Sequence, residues 1–175
     1  MRILFTVLLA ATVAAVPSAQ SANPISDGIR GQWASAKRNM QQSAEMMPQE
    51  NYDYRPVDGV RNFGEILAHV AGASYVFCAA AKGEKTPYEE DHFEKTATTR
   101  AAIIKATTDA IAYCDAAYTG LTDASAGQMV KAPFGSAETP RVAVLVGNLG
   151  HFNEHYGNLV TYFRINGLVP PSSRR

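Results

Sequence analysis

The chain has 175 residues, 46% of them apolar and 18% charged, with 16 basic and 16 acidic side chains. That length is enough for one domain with a sizeable core. A balanced charge without any Lys/Arg cluster argues against nucleic acid as a partner, and the Arg174-Arg175 terminus is too short to alter this.

Met1-Arg2 supplies a short positive start, and Ile3 to Val16 is apolar or small except for Thr6 and Thr12. Pro17 to Ala22 follows as a small-residue region, with Ala19-Gln20-Ser21 as the best small-x-small cleavage match. The run is too short for a membrane span and reads as a cleavable signal peptide over residues 1–21, leaving a domain over residues 22–175. No other segment is expected to cross a bilayer, and no cysteine follows the apolar run, so no stable membrane anchor is expected. Without Arg2 the mature chain carries 15 basic and 16 acidic residues, a net charge of −1. The expected location is periplasmic or secreted.

Four amphipathic segments follow. Asn23-Pro24 fits a cap and first-turn proline opening a helix with the stripe Ile29, Trp33, Ala36, Met40, Ala44 and Met47, which Pro48 ends. After a connector from Gln49 to Arg61, Asn62 and Glu65 form a capping-box pattern for a second helix that stops near Gly83. A charged connector, Glu84 to Phe93, precedes a third helix from about Glu94 to Tyr118. Its stripe is Ala97, Ala101, Ile104, Ile111, Cys114 and Tyr118, and Gly120 closes it. Leu121 to Glu138 reads as an irregular Gly/Ala/Ser-rich loop. Thr139-Pro140 opens a last helix that runs to Asn166-Gly167. With no useful strand run and no repeat, the pattern predicts an all-α fold, a single four-helix bundle.

His151 and His155 stand one turn apart on the last helix and therefore share a face. His69 on the second helix offers a third imidazole, and three such nitrogens would hold one divalent ion with positions left open. At about 100° per residue, both helices place these histidines on the shoulder of the core stripe, favouring a groove or bundle mouth. Asn148 and Tyr162 fall nearby as candidate pocket residues, with packing an equal reading for Tyr162. Tyr52, Tyr54 and Phe134 are candidate groove walls, with loop packing as the alternative. His92, among Glu89, Glu90 and Asp91, reads as solvated. His151 to His155 also matches the inverted zinc-peptidase pattern H-x-x-E-H, but no acidic residue follows Glu154 to supply that family's further ligand. Glu154 remains a candidate catalytic base or partner of a ligand imidazole, with a solvated helix position as the alternative.

Glu65-Ile66-Leu67-Ala68-His69-Val70, the stretch His151 to His155 and the tail from Tyr162 to Pro171 resemble the DinB/YfiT-like metalloenzymes. The Tyr-rich stretch ending at Arg55-Pro56 fits as well, and the resemblance runs from about Ile25 to Pro171. It implies an up-down-down-up bundle binding nickel, zinc or iron through His69, His151 and His155. It also implies a small-molecule substrate of unknown identity and a monomer or homodimer. Characterised relatives include thiol-dependent isomerases and transferases. The expected function is an exported metal-dependent hydrolase or thiol transferase; the alternative is a non-catalytic metal- or ligand-binding bundle. Export itself weighs against thiol transfer, because low-molecular-weight thiols are mainly cytosolic.

Cys78 and Cys114 allow one disulfide in an exported chain, although buried free cysteines also behave as small apolar residues. The topology implied by the resemblance makes the second and third helices parallel. It sets the two cysteines at levels differing by about 6 Å at 1.5 Å rise per residue, compatible with a bridge.

Overall fold

The structure is a computed structural model that describes residues 21–174. The signal-peptide reading of residues 1–21 lies, apart from Ser21, outside the described residues. Four long helices form the frame: α1 (Pro24–Met46), α2 (Phe63–Lys82), α4 (Arg100–Thr119) and α6 (Arg141–Ile165). Two short helices, α3 (His92–Thr96) and α5 (Asp123–Ala126), lie in the connections.

Side-chain contacts fix the directions. Gly64 approaches Ile103, and Tyr75 stacks near Tyr113 at 4.8 Å between ring centres, so α2 and α4 run parallel. Phe63 meets Phe163 and Phe77 meets Gly147, so α6 runs against α2. Trp33 stacks on Tyr118 at 4.3 Å, while Arg100 donates to the Glu45 carbonyl at the other end, making α1 antiparallel to α4. The result is the expected up-down-down-up bundle. Its core joins Trp33, Met40, Phe63, Leu67, Tyr118, Leu145, Phe152, Leu159 and Phe163.

α2 begins as its sequence dictates. The Asn62 side chain accepts from the Glu65 amide at 2.7 Å, and the Glu65 carboxylate accepts from the Asn62 amide at 2.7 Å. Gly83 ends the helix in the left-handed region, φ +72°, where a Cβ would be strained. By length and composition α2 could cross a membrane, contrary to the expectation that no further segment could; here most of it is buried within the bundle.

Three local expectations need correction. Asn23 does not cap α1 with its own side chain; the Asp123 carboxylate accepts from the Ser26 amide and hydroxyl and the Ile25 amide, while the Asn23 side-chain oxygen accepts from the Asp123 amide. The third long helix starts at Arg100, not Glu94, because Thr99 caps it and the residues before form the separate α3. Its core face is set by Ile103, Ala106 and Ala110, leaving Ala101 exposed and Ile104 half-buried. The loop from Leu121 to Glu138 also holds structure: α5, and an antiparallel hairpin of β1 (Met129–Lys131) and β2 (Glu138–Pro140) pairing Val130 with Thr139.

Cys78 and Cys114 form a disulfide between α2 and α4, both residues wholly buried.

Candidate metal centre

His69 sits on the second turn of α2, and His151 and His155 on successive turns of the antiparallel α6. The bundle brings all three together. Their facing nitrogens lie within 4.8 Å of one another. Nε2 of His151 is 3.1 Å from Nε2 of His69 and 3.1 Å from Nε2 of His155.

A carboxylate orients the first ring. Glu94, on α3, accepts from Nδ1 of His69 at 3.0 Å, which places a proton on Nδ1 and turns Nε2, the other ring nitrogen, toward the centre. Glu94 is held in turn by Arg61, whose Nε and Nη2 donate to its two oxygens at 2.8 and 3.2 Å. This Arg61–Glu94–His69 chain is the arrangement that fixes the tautomer and raises the basicity of a metal-binding imidazole.

The other two rings lack such partners. Nδ1 of His151 and Nδ1 of His155 are buried without a hydrogen bond. Burial, reinforced by the cost of placing a second positive charge close to His155, His69 and Arg61, depresses His151 from 6.5 to about 3. Burial, and then His69, lower His155 as well. Both rings are therefore neutral near pH 7. A proton on Nε2 crowds the centre, and a proton on Nδ1 leaves a buried donor unpaired; a cation shared by the three Nε2 atoms removes the conflict at the centre. Nitrogens bound at 2.0–2.1 Å to one ion are separated by about 2.9 Å in octahedral and about 3.4 Å in tetrahedral geometry. The two 3.1 Å separations fall within that range. The residues present fit a divalent ion.

Beside His155 a groove of about 650 Å³ opens to solvent, walled by Arg55, Val60, Arg61, Glu94, Asn158 and Tyr162. Arg55 pairs with Glu65 as Arg61 does with Glu94. Tyr162 meets both of its readings: it packs in the core and lines this groove, and its hydroxyl donates to the Arg61 carbonyl at 2.8 Å. The other groove candidates lie elsewhere. Asn148 is wholly buried and donates to the Tyr118 hydroxyl at 3.0 Å. Tyr52 is buried and donates to the Ala44 carbonyl. Tyr54 stands edge-on behind Tyr162, and Phe134 packs on Phe77, which in turn lies against His151. His92 is half-buried and stacked on Tyr88, not free in solvent. Glu154 is exposed and makes no hydrogen bond to the three rings among the described residues; the carboxylate on a ring is Glu94. Sequence reading missed Glu94 because its approach depends on the path of the connector, and the one local hint was its place in an acidic run.

A family model described as the DinB superfamily matches residues 32–159, most of the chain. The chain belongs to the DinB superfamily. Among solved structures, the chain is similar to a DinB-like protein from Bacillus cereus ATCC 10987, with TM-score 0.65 and 18% identity over 83% of this chain and 95% of that one. A DinB-like protein from Bacillus subtilis superposes with TM-score 0.61 and 22% identity, covering 85% and 99% of the two chains. The mycothiol-dependent maleylpyruvate isomerase superposes with TM-score 0.59 and 13% identity, covering 77% of this chain but only 60% of that protein. At such identities the likeness establishes the DinB fold. No curated protein sequence matches the chain significantly.

Proposed function

We propose that this protein is an exported, metal-dependent hydrolase or transferase of the DinB superfamily, with His69, His151 and His155 holding a divalent ion. The observation that carries the reading is the convergence of three Nε2 atoms, one of them aimed inward by the Glu94 contact on the far side of its ring. Bound there, the ion would supply Lewis-acid activation of a small molecule. The protein's own part is to hold His151 and His155 neutral by burial, to orient His69 through Arg61 and Glu94, and to admit the substrate along the groove beside His155. That open approach favours a catalytic centre over a sealed structural one. Nickel, zinc and iron all suit an imidazole set.

Two features support export: the leader pattern over residues 1–21 and the buried Cys78–Cys114 bridge, which is typical of oxidising compartments. The same setting disfavours the thiol cofactor named for the isomerase relative, so hydrolysis or a thiol-independent transfer is the preferred chemistry. Elemental analysis of untagged protein purified from the exported fraction tests the reading. The expected result is about one divalent ion per chain, lost in His69→Ala and in His151→Ala. Substoichiometric metal in wild type even after reloading would sink the proposal.

A further inference from the structure

The connector between α2 and α4 passes beside His69, and one residue of α2 makes that passage feasible. A Cβ at position 72 would lie 1.8 Å from the Glu90 carbonyl oxygen and 2.8 Å from its carbonyl carbon. Only glycine lets the Glu90 backbone rest on α2, one turn beyond His69. The seat is held on both sides by aromatic contacts: Tyr75 meets Tyr88 at 4.9 Å and Phe93 at 5.7 Å, and Tyr88 meets His92 at 4.6 Å. From this seat the Glu90 carboxylate reaches to 4.0 Å from Nε2 of His69, the same nitrogen that faces His151. This is slightly more than the spacing of two donors on one ion, about 2.9–3.4 Å. The Glu90 side chain is 43% exposed and has room to turn.

We infer that Glu90 is the fourth protein donor of this centre, an oxygen ligand that the Gly72 seat delivers beside His69 and that a turn of its exposed side chain brings to the shared ion. The inference rests on the metal-centre reading above. It assigns the centre an N3O donor set and gives the acidic connector a purpose that a solvated run would lack. An ion of five or six coordination would then still keep a position open toward the groove at Arg61 and Tyr162. Glu94, by contrast, touches the ion only through His69.

The test uses the full mature chain, titrated with zinc against a chromogenic chelator, and then loaded with cobalt(II) for its visible absorption spectrum. Glu90→Gln keeps the side-chain size and is expected to weaken zinc binding by about tenfold and to alter the cobalt bands, because the donor set itself changes. Glu89→Gln, one residue away and exposed, removes the same charge and is expected to match wild type in both readouts. Gly72→Ala removes no donor and no charge, yet is expected to weaken zinc binding by displacing the connector. Wild-type affinity and spectrum in Glu90→Gln would overturn the inference while leaving the three-histidine centre intact, and so would an equal loss in Glu89→Gln. A wild-type chain that binds neither metal would overturn both readings together; if Gly72→Ala fails to fold, the two glutamine variants still decide.

Discussion

A histidine pair at i,i+4 with a third histidine on another helix was enough to mark the centre, because helical geometry alone forces His151 and His155 onto one face. What surrounds them was not readable. The H-x-x-E-H pattern singles out Glu154 on the same helix, while Glu94 arrives from a connector whose path only tertiary structure reveals. Asn148 was misjudged for the same reason: the wheel puts it beside the histidines, whereas the core takes it toward Tyr118. Glu94→Gln is expected to lower metal affinity by about 10- to 100-fold without emptying the site at saturating metal, measurable by chelator competition.

Acid sensitivity belongs to the same residues. His151 is depressed from 6.5 to about 3 in the fold, mainly by burial, so in the metal-free protein the unfolded chain takes up a proton that the folded chain refuses. Its contribution to stability is complete above the unfolded value of 6.5 and is lost as pH falls from there toward about 3. Melting of metal-free protein is therefore expected to occur at a lower temperature at pH 5 than at pH 7.5. His151→Phe should flatten this dependence.

At the level of elements, boundaries written in local chemistry were legible. Asn62 and Glu65 formed the capping box their spacing called for, and Gly83 took the left-handed stop. Asn62→Ala is expected to cost about 1 kcal/mol and lower the melting temperature by about 3 °C in thermal denaturation. Elements defined by partners were not legible. The start of α1 depends on Asp123, almost a hundred residues away, which no local reading supplies. The residues from His92 to Thr96 continue a helical rhythm into α4, so the break before Arg100 is hidden inside what reads as one longer helix. The hairpin strands have three residues each, too few for a two-residue period to stand out from noise.

For the whole molecule, helix count followed from amphipathic periodicity, but helix direction did not; it entered through family resemblance and is now visible in the contacts of Gly64, Tyr75 and Cys78 with α4. The disulfide closes a separation of 36 residues. Loop-closure entropy assigns such a bridge about 4 kcal/mol. The double variant Cys78→Ala/Cys114→Ala is expected to melt on the order of 10 °C below wild type, with the intact bridge checked by mass under non-reducing conditions.

Both sulfurs are sealed off completely in the finished bundle, hemmed in by Ser74 and Asn148. A bulky oxidising catalyst reaches them only when the helices part, so catalysed closure of the bond calls for a loose or locally opened polypeptide.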